Sequence, residues 1–183
     1  MNDLNVKFGI IGIDHRHVYT QAQFLVELGA ELVGWYTEGS PTTLGGFTKR
    51  FPKAKRFTDP RCLLENPNIQ VILTSAIPSE RAQISISAMK HGKDVMSDKP
   101  GCLSFADLEE LRKTVQQTGR IWSVDFSERF EVPAVNLASK LVSDGAIGEV
   151  IHTLGLGPHR LNSGTRPNWF FDPNQNGGIL ADI

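Results

Sequence analysis

Short apolar runs alternate with helix-like stretches over the first two thirds of the chain, and this alternation limits the possible folds. Buried strands are predicted at the apolar runs, which cover residues 6–12, 31–37, 70–75, 94–97 and 121–126. Helices are predicted over 17–28, over 78–90 and after the N-cap Ser104, and glycines end them at Gly29, Gly92 and Gly119. Because strands and helices alternate over short connections, the sequence predicts an α/β fold with a doubly wound, mostly parallel sheet.

The pattern changes after residue 126. An amphipathic helix is predicted over 132–142, and a strand that could start a second sheet is predicted over 149–157. Residues 158–178 have the composition of a loop and contain Trp169-Phe170-Phe171. The aromatic triplet is interpreted most simply as a loop anchor that packs on the core, with a substrate lid as the alternative.

Composition argues against several classes of partner. The 183 residues are 40% hydrophobic and 21% charged with a formal net charge of −1, which indicates a globular protein that does not bind nucleic acid. No basic region followed by a long apolar stretch occurs at the N-terminus, so we expect no membrane partner and a cytoplasmic location. Cys62 and Cys102 lack a Cys-x-x-Cys spacing, which predicts reduced, incidental thiols.

The tripeptide Asp98-Lys99-Pro100 ends the fourth predicted strand. In an open α/β sheet this position lies at the carboxyl end of a strand, where such folds bind their ligands. An ammonium group held there beside a cofactor could stabilise the alkoxide that develops when an alcohol loses hydride. The alternative is a solvated lysine that opens a turn.

The segment from Gly12 to His17 lies between the first strand and the first helix, as a dinucleotide-binding turn does. Gly12 can make the tight turn, but Asp14 and His17 occupy the positions of the second and third glycines. The Asp14 carboxylate would repel a pyrophosphate, whereas the helix N-terminus, Arg16 and a protonated histidine would attract it. Dinucleotide binding is therefore predicted, in a weakened form.

The second strand ends where a dinucleotide-binding fold contacts the ribose hydroxyls. Two neighbouring residues compete for that role. If Glu38 contacts the ribose, its carboxylate favours NAD as the cofactor. If Thr37 contacts the ribose instead, NADP is harder to exclude. A solvated turn residue is the other interpretation of Glu38.

His15 and His17 also permit a different class of protein. A His-x-His pair after a first strand is a metal-ligand spacing found in barrel hydrolases, because both imidazoles can point to one side of an extended segment. His91, His152 and His159 show no paired spacing, and a (β/α)₈ barrel needs about 250 residues. A metal-dependent hydrolase therefore stays the less favoured alternative, and we expect no metal site.

Motif-like segments occur in a fixed order along nearly the whole chain. They are Gly9-Ile10-Ile11-Gly12, residues 71–95 with Pro78 and Gly92-Lys93, Asp98-Lys99-Pro100, Arg129-Phe130 with residues 145–150, and Trp169, Asp172-Pro173 and residues 177–182. In this order they resemble the opening strand and turn, the fourth to fifth strands, the Glu-Lys-Pro motif, the domain junction and the Gly-Gly-x-Leu-x-Asp-x-Gly-x-His segment of the Gfo/Idh/MocA family of NAD(P)-dependent oxidoreductases. Asp98 keeps the charge of the family's glutamate on a shorter arm.

The resemblance implies a Rossmann-like dinucleotide-binding domain over residues 1–126. Residues 127–183 would then be the beginning of an incomplete α+β domain that serves substrate binding and oligomerisation. The family's catalytic segment continues beyond its aspartate, so the 183 residues are expected to be a fragment that is inactive or impaired. The full-length protein is expected to be a homo-oligomer.

The resemblance also implies hydride transfer between nicotinamide and a secondary alcohol of a sugar, an inositol or a related polyol. Lys99 would orient the substrate hydroxyl and stabilise its negative charge, and Asp182 matches the aspartate that works with a histidine four positions later. A non-catalytic nucleotide-binding or sensor protein on the same fold is the alternative. The cofactor, NAD or NADP, would contact Gly9, Gly12, Ile13, Asp14, His15, Arg16, His17, Thr37, Glu38, Ser75, Ala76, Pro78, Asp98 and Lys99.

Overall fold

The computed structural model describes residues 6–156 and 160–182. Six strands form a sheet: β1 Lys7–Ile11, β2 Glu31–Tyr36, β3 Lys55–Arg56, β4 Val71–Thr74, β5 Asp94–Asp98 and β6 Trp122–Asp125. Their order is β3-β2-β1-β4-β5-β6, and every neighbouring pair is parallel. The strand order reverses between β1 and β4, where sheets of this kind open a ligand crevice at the strands' carboxyl ends.

Helices follow the strands and cover both faces of the sheet, as the sequence predicts for a doubly wound fold. β1 illustrates why, because its side chains alternate between two core clusters. Phe8 and Ile10 pack in the cluster that also contains Val18 and Ala22, whereas Ile11 packs in the cluster that contains Leu111. The helices of this part are α1 Val18–Glu27, α2 Leu44–Arg50, α3 Arg61–Leu64, α4 Pro78–Lys90 and α5 Phe105–Thr118.

The predicted signals for helix ends are confirmed in α4 and α5. Pro78 is the first residue of α4, where its missing N–H costs no hydrogen bond. The Ser104 hydroxyl accepts a hydrogen bond from the backbone N–H of Asp107 at 3.0 Å, which is the N-cap bond. Gly119 follows α5 in the left-handed conformation with φ 66°.

Three short elements between β2 and β4 are missing from the sequence prediction: α2, β3 and α3. Gly45 and Gly46 lower the helix propensity of α2, so its local sequence does not indicate a helix. Tertiary packing stabilises it, because the Phe47 ring is fully buried and meets Trp35 edge-on at 5.2 Å between centroids.

Residues 126–166 form a compact unit of their own. It contains α6 Ser127–Phe130 and α7 Pro133–Ser143, and α7 agrees with the helix predicted over 132–142. The strand predicted over 149–157 is wrong for residues 149–156, which are exposed and belong to no strand; Gly157 lies outside the described residues. A β-prone sequence forms a strand only beside a pairing partner, and the described part of this unit has none.

The segment from Pro167 onward groups with the sheet-containing unit, so the division of contacts differs from a single boundary at residue 126. The predicted loop over 158–178 contains short helical turns in its described part, while Pro158 and His159 lie outside the described residues. The helical turns are two 3₁₀ helices at Ser163–Thr165 and Asn168–Phe171, followed by α8 Pro173–Asn176 and α9 Ile179–Asp182.

Within the described ranges, no helix combines the length and the apolar character that a bilayer crossing needs.

Candidate functional site

The turn from β1 to α1 bridges the crevice at the reversal of strand order. Gly12 donates its N–H to the Tyr36 carbonyl at 2.8 Å and accepts from the Ser75 N–H at 3.1 Å. His15 donates its N–H to the Ser75 carbonyl at 2.8 Å. Gly12 has φ 82°, and a Cβ there would lie 2.3 Å from the Cβ of Ala76, so this position accepts only glycine. The tight turn expected at Gly12 is present.

Other residues of the predicted cofactor set lie in different environments. Gly9 lies within β1, where a Cβ would meet the side chains of Ile69, Leu63 and Ile72, so the structure places Gly9 in the core instead of at the turn. Ile13 is also a core residue, fully buried. At the turn itself, Arg16 is exposed. The sequence pattern indicated the turn correctly but not which side of it each residue faces.

Asp98 is the centre of a buried polar cluster at the carboxyl end of β5, and it is 0% exposed. His15 Nδ1 lies 2.6 Å from Asp98 Oδ2, and His17 Nδ1 lies 3.0 Å from Asp98 Oδ1. The two imidazole rings are neighbours, with centroids 4.1 Å apart and planes tilted by 59°. One carboxylate therefore holds both histidines of the β1–α1 turn against the end of β5.

Arg81 fixes the same strand end from α4. Its guanidinium donates to Asp98 Oδ2 at 3.1 Å, to the Pro100 carbonyl at 3.2 Å and to the Lys99 carbonyl, and its Nε donates to the Ala76 carbonyl at 2.7 Å. The Lys99 backbone N–H donates to Asp98 Oδ1 at 2.8 Å. Lys99 itself is half-buried. The backbone that carries the lysine is thus held by a buried ion pair.

Gln21 of α1 completes the cluster and is fully buried. Its Nε2 donates to Asp125 Oδ2 at 3.0 Å and, more weakly, to Asp98 Oδ1 at 3.4 Å, while its Oε1 accepts from the Ser75 hydroxyl at 2.7 Å. Ser75 therefore uses its side chain and both of its backbone groups within the protein. This binds the ends of three strands to one helix.

Sequence reasoning did not find Gln21, Arg81 or Asp125. Gln21 and Arg81 lie on the core-facing sides of α1 and α4, where an apolar residue is the norm. A polar side chain on the apolar face of a helix next to a strand's carboxyl end is the signal that could have found them. Such a residue needs buried partners, and these two find them at the same edge.

The hydrogen bonds fix the charge state of the cluster. Burial alone would raise the pKa of the Asp98 carboxyl, but the hydrogen bonds from His15 and His17 and the charge of Arg81 hold that pKa well below its usual range. Burial lowers the pKa of His15, although its hydrogen bond to Asp98 opposes this. At neutral pH, Asp98 is therefore ionised and His15 is a neutral imidazole whose Nδ1–H donates to it.

A second group of carboxylates has the opposite character. Burial and the charge of Glu80 raise the pKa of Asp14 from 3.8 to about 6. Burial and the charge of Glu38 raise the pKa of Glu80. The exposed Glu38 accepts a hydrogen bond from the Tyr36 hydroxyl. Negative charge therefore accumulates beside the β1–α1 turn.

The residues present fit a dinucleotide, with one opposing feature. The Gly12 turn leads into α1, whose N-terminus carries partial positive charge and so attracts a phosphate, although the N–H groups of Val18 and Tyr19 already donate to the carbonyls of His15 and Arg16 at 3.2 Å. The Thr37 hydroxyl at the end of β2 is buried and has no hydrogen-bond partner in the described parts of the chain, which suits a ligand hydroxyl. The carboxylate of Asp14 opposes a pyrophosphate.

The aromatic segment after Pro167 approaches the same turn. The Trp169 ring meets the His15 ring nearly edge-on, with the centroids 6.3 Å apart and the planes at 76°. Trp169 is half-buried. Asp182 is the last residue of α9. The structure thus brings Trp169 to the cluster formed by His15, His17, Asp98 and Arg81.

The comparison with protein families settles the family. A model of the oxidoreductase family with an NAD-binding Rossmann fold matches residues 6–126. The chain belongs to the Gfo/Idh/MocA family. Its parallel sheet is therefore the family's Rossmann fold and an NAD(P)-binding domain, in agreement with the Gly12 turn.

Similar proteins extend the likeness beyond the sheet. Scyllo-inositol 2-dehydrogenase (NAD(+)) of Bacillus subtilis (strain 168) is 31% identical over 68% of this chain and 34% of its own length. A crystal structure of a protein assigned as an oxidoreductase from Erwinia carotovora atroseptica SCRI1043 superposes with a TM-score of 0.92 and 36% identity, over 96% of this chain and 52% of the other. Myo-inositol 2-dehydrogenase from Lactobacillus plantarum superposes with a TM-score of 0.66 and 26% identity, over 80% and 43%. The Gfo/Idh/MocA chain described here thus spans about a third to a half of these relatives.

Proposed function

We propose that this chain is the cofactor-binding part of an NAD(P)-dependent oxidoreductase that transfers a hydride between nicotinamide and a secondary alcohol of a sugar, an inositol or a related polyol. The names of the two inositol dehydrogenases support the substrate class. One observation carries the proposal: the backbone of Lys99 is fixed by Asp98 and Arg81 at the edge that also carries the Gly12 turn. The proposal also includes a cytoplasmic location, a homo-oligomer for the full-length protein, and no nucleic-acid or membrane partner.

Lys99, Asp98, Arg81 and Asp182 have different roles in the proposed hydride transfer. Nicotinamide, when bound, supplies the hydride acceptor or donor. The Lys99 ammonium hydrogen-bonds the substrate oxygen and stabilises the negative charge that develops on it as its proton leaves. The Asp98 carboxylate and the Arg81 guanidinium keep the Lys99 backbone in place, so that no reorganisation is needed during the reaction. By its match to the family motif, Asp182 would assist a histidine four positions later, outside residues 1–183, which would take the substrate's hydroxyl proton while nicotinamide takes the hydride.

Cofactor contacts come from the two turns. The backbone between Gly12 and His17 and the first turn of α1 hold the pyrophosphate, and residues after β2 hold the adenosine ribose. Glu38 presents an exposed carboxylate there, which accepts from a ribose hydroxyl and repels a 2′-phosphate. We therefore expect NADH to bind more tightly than NADPH, and Glu38→Gln to narrow that difference. Fluorescence titrations with both cofactors measure the ratio.

The main test is cofactor binding by this chain, followed by turnover of the full-length protein. NADH or NADPH should raise the melting temperature and quench Trp fluorescence; a chain that responds to neither cofactor contradicts the proposal. Lys99→Met should keep cofactor binding and reduce polyol oxidation by about 100-fold or more, since it removes a charged group from the reacting oxygen. The matched control is Lys113→Met on the exposed face of α5, which should change neither quantity. Normal binding with no turnover of any polyol by the full-length protein would favour the non-catalytic alternative, whereas residues 1–183 alone are expected to be inactive or impaired.

A further inference from the structure

Two histidines of one turn share a single buried carboxylate, and the proposed hydride transfer does not require this arrangement. His15 and His17 each present Nδ1 to a different oxygen of Asp98, at 2.6 and 3.0 Å. One nitrogen or oxygen atom from each of the three residues lies within 4.8 Å of the others. Two imidazoles held by one carboxylate have the composition of a transition-metal site in which the carboxylate orients the histidine ligands.

The hydrogen bonds determine which imidazole nitrogens are available to a metal. Asp98 also accepts from the Arg81 guanidinium and from the Lys99 backbone N–H, which are both donors, so its oxygens act as acceptors throughout. Nδ1 of each histidine must therefore donate its hydrogen to Asp98. The lone pair of each ring then lies on Nε2, and the side-chain hydrogen bonds that the two histidines make within the described residues are those of Nδ1.

Asp98 has no capacity left for a direct bond to a metal. A carboxylate offers about four lone-pair directions. Five donors already approach Asp98: His15 Nδ1, His17 Nδ1, Arg81 Nη2, the Lys99 N–H and, at 3.4 Å, Gln21 Nε2. Its role is therefore the one that carboxylates commonly have behind metal-binding histidines, where they fix the tautomer and the ring orientation.

We propose that His15 and His17 bind a divalent transition metal ion, with Zn²⁺ as the representative, through their Nε2 atoms, and that Asp98 orients both rings for it. The His-x-His pair would then bind a metal on a Rossmann fold, whereas its spacing alone is typical of barrel hydrolases. The edge of Trp169 adjoins the His15 ring and limits solvent on that side.

The type of ligand restricts the class of metal, and Asp98 offsets part of the positive charge that would oppose a cation. The Arg81 guanidinium and the N-terminus of α1 both contribute positive charge near the pair, and Asp98 contributes one negative charge. Mg²⁺ and Ca²⁺ prefer several oxygen ligands, which this pair does not supply. Neutral imidazoles suit Zn²⁺, Cu²⁺ and Ni²⁺. Two protein ligands leave coordination positions to water or to a small ligand, so the site is of the open type.

Metal titration of the tag-free, metal-stripped chain tests the proposal. Isothermal titration with Zn²⁺ should give one site per chain, and Cu²⁺ bound at the same site should show an electron paramagnetic resonance spectrum with two nitrogen ligands. His15→Ala and His17→Ala should each weaken Zn²⁺ binding at least about tenfold and remove one nitrogen coupling. Asp98→Asn should weaken it by about 10- to 100-fold while both couplings remain.

His91→Ala is the matched control, because His91 is exposed on another part of the chain, and it should leave the site unchanged. Zn²⁺ binding that survives in both His15→Ala and His17→Ala, or that disappears only in Cys62→Ser, overturns the proposal. If the histidine variants do not fold, the wild-type Cu²⁺ spectrum decides alone, since one nitrogen or none contradicts a two-histidine site. Because the histidines also lie in the cofactor turn, NADH is titrated into the metal-free wild-type chain: NADH binding without Zn²⁺ binding overturns this proposal alone, and Zn²⁺ binding without NADH binding overturns the proposed oxidoreductase function alone.

Discussion

Asp98 and Asp14 lie at the same edge of the sheet, yet their carboxyl groups have opposite environments. Asp98 is fully buried and surrounded by donors, so its pKa lies well below its usual range. Asp14 is partly buried beside another carboxylate, so its pKa rises to about 6. Burial by itself favours the neutral acid at both sites, and only the donors around Asp98 reverse its effect.

The difference has opposite consequences for the free energy of unfolding. Asp98 has a lowered pKa, so its ionised form stabilises the fold above about pH 4, the ordinary pKa, and this contribution is lost as the pH falls below that value. Asp14 has a raised pKa, so its proton stabilises the fold at low pH, and that contribution is lost as the pH rises from 3.8 through about 6. One carboxylate thus supports the fold, whereas the other opposes it at neutral pH.

The largest effect should come from removing the charge that supports Asp98. Arg81→Met leaves Asp98 without its guanidinium partner and leaves the carbonyls of Ala76, Lys99 and Pro100 without their donor. Breaking a buried ion pair from one side costs about 3–5 kcal/mol. Chemical denaturation at pH 7 measures the loss.

Arg61→Met is the control for that prediction, because Arg61 pairs with Asp59 at the exposed surface. Its midpoint should match that of the wild type. Equal losses in the two variants would mean that the Asp98 cluster contributes no more than an exposed pair, and the contrast with Asp14 would disappear.

A smaller effect with the opposite sign is expected at Asp14. Asp14→Asn removes a carboxylate that the folded state holds unfavourably once it ionises. A rise from 3.8 to about 6 corresponds, after partial solvent screening, to about 2 kcal/mol. The variant should be more stable than the wild type by that amount at pH 8 and by little at pH 4. A gain that does not change with pH would show that the raised pKa is not its source.

The smallest effect should come from the neighbour of Asp14. Glu80→Gln removes the charge that helps to raise the pKa of Asp14, so that pKa should fall in a carboxyl NMR titration. Because this pair is partly exposed, the gain in stability at pH 8 should be about 0.5 kcal/mol. An unchanged titration of Asp14 would assign its shift to burial alone.

Much of the fold follows from the sequence because periodicity and helix-end signals act locally. Pro78, Ser104 and Gly119 mark helix ends by their own backbone chemistry, and the structure has them there. The helix α2 was missed because the buried ring of Phe47, which stabilises it, packs on a residue twelve positions earlier in the chain. The strand predicted at 149–157 is wrong for its described residues because they have no neighbouring strand to pair with.

The candidate site also has a part that local motifs indicate and a part that only the folded structure shows. Gly12, Lys99 and the histidines were indicated by motifs, which are local. The ring of donors around Asp98 was not indicated by a motif. His15 lies in the turn before α1, Gln21 in α1 and Arg81 in α4, and they meet Asp98 only in three dimensions. Positions such as Gly9 were assigned to the cofactor by resemblance, whereas the packing of Leu63 and Ile69 around it places it in the core.

The side chain of Gln21 has a consequence for how this edge of the sheet opens. It hydrogen-bonds Ser75, Asp98 and Asp125, which follow or end three adjacent strands. If the start of α1 detaches, all three lose a partner together, so the strand ends should become accessible in one cooperative event instead of fraying separately. In hydrogen exchange, the amide of Lys99, whose N–H is bonded to Asp98, and the amide of Ser75, bonded to Gly12, should therefore exchange with the same opening free energy.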